Sequence, residues 1–137
     1  GFLHALHEYP EIKVVASQTA HWERERSYSV TQNMLQTHPD IRAIFCASDE
    51  MAMGSVEALR ALQRKDVVIV GFDANPDALA YVINKKITAT VAQSPRYMGM
   101  KGVYYAHQLL QHKILPPAIH PTPLNLVTAN NAQKFVF

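Results

Sequence analysis

The sequence predicts an α/β protein with a doubly wound parallel sheet, a Rossmann-like arrangement, on two observations. First, predicted helices and strands alternate along the whole chain, as they do when helices cross over between parallel strands. Second, residues 67–72 are almost continuously apolar and mostly β-branched, which is typical of a strand buried on both faces. With 137 residues, the chain is long enough for one domain with a substantial core.

The first half of the chain is predicted to hold three helices and two strands. Apolar residues at helical spacing begin at Phe2, and Pro10 ends this first helix. The following elements are predicted at 12–18 (strand), 23–37 (helix), 41–47 (strand) and 48–63 (helix). Ser48 is placed to cap the last of these. Because the chain starts inside a helical pattern that has no capping residue, we expect it to be the C-terminal part of a longer protein.

The second half continues the alternation. Asn75 and Ser94 each precede a proline, and proline is favoured at the first position of a helix. The predicted elements are 67–72 (strand), 75–84 (helix), 87–92 (strand), 94–112 (helix) and 124–128 (strand), with a proline-rich connection at 115–123 and a tail from 129.

Composition excludes several classes of function. The net charge is +2 with scattered Lys and Arg, so we expect no nucleic-acid partner. The single cysteine, Cys46, excludes an internal disulfide and any metal site built on paired cysteines. His4 and His7 share a helix face but lack a third ligand. No nucleophile has a base beside it, and no phosphate-binding loop occurs. We therefore expect neither an enzyme nor a cofactor or metal.

Polar and aromatic residues suited to a sugar follow four predicted strands. Trp22, Ser48, Asp73 and Gln93 lie 20 to 26 residues apart, about one strand–helix unit, and Phe72 precedes Asp73. The carboxyl ends of parallel strands meet at one sheet edge, where ligands bind. Aromatic rings cover apolar sugar faces, while the polar groups bind hydroxyls. Each residue also has a structural interpretation: a helix cover for Trp22, helix caps for Ser48 and Asp73, and a surface turn for Gln93.

Five stretches together resemble the ribose-binding branch of periplasmic sugar-binding proteins, the type 1 solute-binding proteins of ABC importers. The SDEMAMG stretch followed by VGFD at this spacing is the most specific part. The resemblance covers nearly the whole chain and is carried by VVASQ at 14–18, HPDI at 38–41, SDEMAMG at 48–54, VGFD at 70–73 and TVAQ at 90–93.

The resemblance implies two α/β lobes that close over a sugar. It implies that Trp22 stacks on the sugar, that Phe72 packs against it, and that Asp73 and Gln93 bind ring hydroxyls. Ser48 departs from the asparagine of the ribose binders and is shorter, so a pentose, a hexose or a related polyol is equally open.

The resemblance also implies a division of the chain and a set of partners. Residues 1–93 would form the C-terminal sugar-binding lobe without its N-terminal portion, 94–122 a helix and connection belonging to the other lobe, and 123–137 a returning strand and tail. The expected partners are a sugar and a membrane ABC permease, with a chemoreceptor as a further candidate, in the periplasm or outside the cell. The helix at 94–112 would expose an apolar side through which the fragment could self-associate. The alternative is the effector-sensing domain of a lac-repressor-type transcription factor, which shares the fold.

Overall fold

The computed structural model describes residues 1–111 and 119–136. Its elements largely follow the predicted alternation, and the predicted helix end at 112 and part of the proline-rich connection lie outside the described residues. The helices are α1 (Phe2–Ala5), α2 (Arg24–Thr37), α3 (Asp49–Ala61), α4 (Pro76–Ile83) and α5 (Pro95–Leu110), with short 3-10 helices at Leu6–Glu8 and Ala132–Phe135. The strands are β1 (Ala43–Phe45), β2 (Val68–Asp73), β3 (Ala89–Ala92) and β4 (Asn125–Thr128).

The four strands form one sheet in the order β1-β2-β3-β4. Strands β1, β2 and β3 are parallel, which confirms the predicted fold class. Strand β4 differs, because it runs antiparallel to β3, with Val91 opposite Leu126. Parallel neighbours need a crossover of a dozen or more residues, which α3 and α4 supply between β1, β2 and β3. The longer connection that includes α5 lets the chain enter β4 from the other end of the sheet.

The strand predicted at 12–18 is wrong for this chain, because these residues, all of them described, form no strand. Val14 and Val15 stay half-exposed. A strand there would need a hydrogen-bonded neighbour, and β1 pairs only with β2 within the described residues. Apolar, β-branched composition alone cannot stabilise an extended segment that has no partner strand.

Strand β2 was expected to be buried on both faces, but only one of its faces is. Ile69 is 1% exposed and packs in the core with Met53 of α3 and Leu79 of α4. Val68, one residue earlier, is 44% exposed. On the neighbouring strand β1, the Phe45 ring is partly covered by the stacked ring of Phe2, with centroids 4.6 Å apart. The core therefore lies between the sheet and the α3 and α4 layer.

The interface between α2 and α3 is close and contains buried hydroxyl groups. The Thr31 and Ser55 hydroxyls are 2.9 Å apart, and the Ser27 hydroxyl donates to the Met51 carbonyl over 2.7 Å. Cys46 lies 3.5 Å from the Ser55 hydroxyl. Burial raises the pKa of the Cys46 thiol, so this cysteine is a poor nucleophile, as expected for a structural residue.

Helix α5 has no buried residue, which leaves its apolar side chains largely uncovered. The Tyr97 and Tyr105 hydroxyls lie 3.3 Å and 2.9 Å from the two ring nitrogens of His120, and Ser94 donates to the Pro123 carbonyl. His120 and Pro123 are therefore tied to α5 and to the residue that precedes it. None of the helices in the described ranges is long and apolar enough to cross a membrane.

Candidate functional site

Asp73 and Gln93 meet at the carboxyl ends of β2 and β3. The parallel register places Asp73 opposite Ala92, so that Gln93 follows directly beside it. The Gln93 amide donates to the Asp73 carboxylate over 2.5 Å. Both side chains are half-buried and line an open depression of about 400 Å³, together with Asn75, Pro95 and Met98. The expected convergence of these two residues is therefore observed.

A buried carboxylate that the sequence interpretation did not assign to the site lies behind this pair. Asp49, the first residue of α3, has no exposed surface. One carboxylate oxygen accepts from the Thr90 hydroxyl over 2.7 Å, and the other accepts from the Asn75 backbone amide over 2.8 Å. The Thr90 hydroxyl in turn accepts from the Ala74 amide over 3.4 Å. Both amides that follow Asp73 are thus bound by the Asp49–Thr90 pair.

The turn that these two residues hold has an unusual backbone. Asp73 has a φ of 116° and Ala74 a φ of 59°, although neither is glycine. Such conformations cost about 1–3 kcal/mol each and persist only where the surroundings enforce them. Gly71 allows the close approach, since an added Cβ there would collide with the Asp49 carboxylate. Strain of this kind at a strand end is typical of functional sites.

The electrostatics of the site follow from this arrangement. Burial is the main cause that raises the pKa of Asp49, and the nearby Asp73 carboxylate raises it further. The hydrogen bonds from Thr90 and Asn75 lower the same pKa and offset part of the burial cost. Asp49 is therefore a carboxylate whose charged form depends on these two donors.

Ser48 follows β1 and has a structural role at the start of α3. Its hydroxyl accepts from the Met51 backbone amide over 3.3 Å, and the residue is only 4% exposed. The predicted N-cap of α3 is confirmed. A contact from Ser48 to a sugar stays a prediction and would have to use the hydroxyl proton that the cap leaves free.

The two aromatic residues are placed differently from each other. Phe72 is half-buried in β2, opposite Val91 and directly before Asp73. Trp22 lies in the turn before α2, with a φ of 66°, and is 66% exposed. Trp22 does not line the depression at Asp73; its neighbours His21 and Glu23 line a separate one of about 520 Å³. The structure thus brings the Asp73 and Gln93 side chains together, while neither Phe72 nor Trp22 lines the depression that they share. Trp22 lies apart, largely exposed to solvent.

Metal binding has no support in the part of the chain that the structure describes. Within residues 1–111 and 119–136, no three His, Cys, Asp or Glu side chains lie close enough together to hold an ion. The residues that line the depression at the sheet edge offer the carboxylate of Asp73, the amides of Asn75 and Gln93, and the apolar side chains of Pro95 and Met98.

Comparison with known proteins finds relatives that are all described as binding proteins. Residues 1–114 match the family model described as a periplasmic binding protein domain. The chain is 40% identical over 127 residues to the ribose import binding protein of Escherichia coli strain K12, covering 93% of this chain and 42% of that protein. It is 42% identical over 104 residues to the D-allose-binding periplasmic protein of the same strain, covering 75% of this chain and 33% of that protein.

A solved structure has the same architecture. It is an ABC transporter periplasmic solute binding protein from Actinobacillus succinogenes 130z with bound D-allose. The TM-score is 0.82 at 34% identity, over 96% of this chain and 47% of that chain. The chain thus spans less than half the length of each of these three relatives.

Proposed function

The chain belongs to the family of periplasmic binding proteins, and on that premise we propose that it is part of a solute-binding protein that captures a sugar for an ABC-type importer. Members of this family bind substrates for transporters and are not enzymes, in agreement with the prediction from sequence. The protein would work in the periplasm or at the outer cell surface, with a membrane permease as its partner. A chemoreceptor is a further candidate partner.

The observation that carries the proposal is the Asp73–Gln93 pair. A carboxylate accepts hydrogen bonds from two neighbouring hydroxyls, while an amide both donates and accepts. Their 2.5 Å hydrogen bond fixes the two groups relative to each other at the mouth of an open depression. Phe72 beside Asp73 and the free ring of Trp22 supply apolar faces for a pyranose or furanose ring. Ser48 would contribute one further hydroxyl contact.

The proposed mechanism is capture by closure. Residues 1–93 would form one lobe, 94–122 would belong to the other lobe, and 123–137 would return to the first. A sugar in the cleft contacts both lobes only in the closed form, and therefore stabilises that form through its differential affinity. The permease would recognise the closed form. The uncovered surface of α5 is consistent with this division, because the rest of the longer protein would cover it.

The sugar class follows from stereochemistry. D-Ribose and D-allose, after which two of the relatives are named, share the same cis arrangement of hydroxyls at carbons 2, 3 and 4. One carboxylate and one amide held together can bind two adjacent hydroxyls of one ring. We therefore propose an aldose with cis-neighbouring hydroxyls as the ligand.

The test is isothermal titration calorimetry of the complete natural protein with a matched panel of sugars. D-Ribose and D-allose are compared with their C3 epimers D-xylose and D-glucose, in which no two neighbouring hydroxyls at carbons 2, 3 and 4 are cis, and with myo-inositol. We expect saturable binding of at least one cis sugar, weaker binding of its epimer, and recovery of the sugar chemically unchanged. Absence of binding across the panel would contradict the proposed ligand class.

A second measurement separates transport from gene regulation. The intact mass and the N-terminal sequence of the natural product show where that product begins. A cleaved export signal on a protein of two lobes supports the importer. A helix-turn-helix segment there would favour the transcription factor instead.

A further inference from the structure

We infer that Asp49 and Thr90 are positioning residues for Asp73: they hold the two backbone amides that follow it and thereby fix the direction of its carboxylate in the sugar site. The inference rests on the proposed function, because it concerns the same site. Neither residue lines the depression, and both act through the turn that carries Asp73.

The geometry ties this turn to two different elements. Thr90 lies in β3 and Asp49 at the start of α3, and both are fully buried. The Thr90 hydroxyl is both a hydrogen-bond donor and an acceptor, since it donates to Asp49 and accepts from the Ala74 amide. Asp49 uses its second oxygen for the Asn75 amide. The backbone after Asp73 therefore has two adjacent anchors that are themselves immobilised in the core.

These anchors matter because the turn does not keep its shape unaided. Asp73 and Ala74 have positive φ values, which residues with a Cβ rarely adopt. If the Ala74 and Asn75 amides lost their acceptors, the backbone would relax toward ordinary φ values and the Asp73 side chain would rotate with it. The carboxylate would then leave the position in which Gln93 meets it.

If Asp49 had a purely structural role, its loss would have a different effect. An acidic residue in the first turn of α3 stabilises the helix dipole wherever its carboxylate points. Loss of such a residue lowers stability and leaves the affinity of the folded protein for its ligand unchanged. The two roles are therefore separated by measuring affinity and stability on the same variants.

The first variant is Thr90→Val in the complete protein, which keeps the shape of the side chain and removes the hydroxyl. Its matched control is Thr31→Val, the same exchange at a second buried hydroxyl, which pairs with Ser55 in the α2–α3 interface away from the turn. Thr90→Ser restores the hydroxyl. Asp49→Asn is the second variant and keeps the proposal testable if Thr90→Val does not fold.

With D-ribose and D-allose as calorimetric probes, we expect Thr90→Val and Asp49→Asn to weaken binding at least tenfold. Thr31→Val should bind within twofold of the wild-type protein even where it unfolds at a lower temperature, and Thr90→Ser within threefold. Equal losses of affinity in Thr90→Val and Thr31→Val, or binding by Thr90→Val within twofold of wild type, would overturn the inference.

Two further readouts respond to positioning alone. Hydrogen exchange of the Ala74 and Asn75 amides should accelerate at least tenfold in Thr90→Val and stay unchanged in Thr31→Val. In an Asp73→Asn background, Thr90→Val should cost less affinity than it does in the wild-type background, because the carboxylate it positions is absent. If the wild-type protein binds neither sugar, the proposed ligand class fails, while the exchange rates of the two amides still decide whether Thr90 holds the turn.

Discussion

Gln93 donates its side-chain amide to the Asp73 carboxylate across the joined ends of two parallel strands, at 2.5 Å. The contact pairs the polar group that ends β2 with the one that follows β3. The contact uses one Asp73 oxygen and the Gln93 amino group, so the second Asp73 oxygen and the Gln93 carbonyl oxygen remain as hydrogen-bond acceptors on two residues that line the depression. Asp73 is therefore the residue whose loss should affect binding most.

We expect Asp73→Ala to abolish sugar binding in calorimetric titrations of the complete protein. The variant removes the acceptor of two sugar hydroxyls and also leaves the Gln93 amide without its partner. Unpaired polar groups in a desolvated site cost about 1–3 kcal/mol each, so affinity should fall at least a hundredfold. The control is Asp77→Ala, the same exchange at an exposed residue of α4 outside the depression. Wild-type affinity in Asp73→Ala would contradict the assigned site.

Trp22→Ala should weaken binding by roughly five- to thirtyfold, or about 1–2 kcal/mol, through the loss of ring stacking. Trp22→Phe keeps an aromatic face and should recover most of the affinity. Unchanged affinity in Trp22→Ala would count against its role.

Trp22 also gives a fluorescence test, because it is the only tryptophan of this chain and is 66% exposed. The difference between the spectra of the complete protein and of its Trp22→Phe variant isolates the emission of Trp22. In the free protein, acrylamide should quench its emission almost as efficiently as that of tryptophan in water. Saturation with a bound sugar should protect the ring and shift its emission to shorter wavelength. Identical quenching with and without the bound sugar would show that Trp22 stays outside the closed site.

Local sequence patterns predicted those elements of the fold that depend mainly on neighbouring residues in the chain. Ser48 caps α3 as its position suggested, and the continuous apolar run at 67–72 forms β2. Residues 12–18 also contain β-branched apolar residues but form no strand, because a strand also depends on a partner that no local pattern reveals. The exposed face of β2 has the same origin, since coverage by other elements is a property of the assembled chain.

The candidate site, like the fold, was predictable only in part from the sequence. Asp73 and Gln93 each end a strand, and parallel pairing then brings them together. Asp49 has the sequence signature of an ordinary acid in the first turn of a helix, so its role was not visible. Its partners Asn75 and Thr90 lie 26 and 41 residues away. The one available signal was Gly71, a residue without a Cβ in an otherwise bulky strand, which indicates a close approach by another group.

The pH dependence of stability should show a contribution from Asp66. Arg64 makes a two-point contact to its carboxylate, at 2.7 Å and 2.9 Å, and Arg42 adds a third contact at 2.6 Å. The hydrogen bonding by Arg64 is the main cause that lowers the pKa of Asp66 to about 2. A lowered carboxyl pKa stabilises the folded state above the unfolded value of about 3.9, and this contribution disappears as the pH falls toward 2.

Urea denaturation of the wild-type protein and the Asp66→Asn variant from pH 2 to pH 6 measures this contribution of Asp66 to stability. The wild-type protein should be more stable than the variant at pH 5 to 6, and the difference should shrink between pH 4 and pH 2. The pair is exposed, so high salt should reduce the difference as well. Asp77→Asn, an exposed aspartate outside this ion-pair cluster, serves as the control. A difference that stays constant over the whole pH range would contradict the assigned cause.

Gly54→Ala should destabilise the protein although alanine is the better helix former. The exchange gains about 1 kcal/mol of helix propensity in α3. An added Cβ, however, would collide with the Arg24 carbonyl and lie 3.0 Å from the Ser27 Cβ, because α2 and α3 approach each other closely there. Forcing two helices apart in a packed interface costs about 1–3 kcal/mol and also disturbs the buried Ser27 hydrogen bonds, so the clash outweighs the propensity.

The matched control is Gly102→Ala in α5, where an added Cβ meets nothing within 4 Å among the described residues. In the 137-residue chain the propensity gain stands alone there, so the stability of that chain should stay equal or rise by up to about 1 kcal/mol. Thermal and urea unfolding of both variants, followed by circular dichroism, measures the two effects with the same substitution. A Gly54→Ala variant as stable as Gly102→Ala would show that the α2–α3 interface has room for a methyl group, and that helix propensity rather than close packing governs α3 at that position.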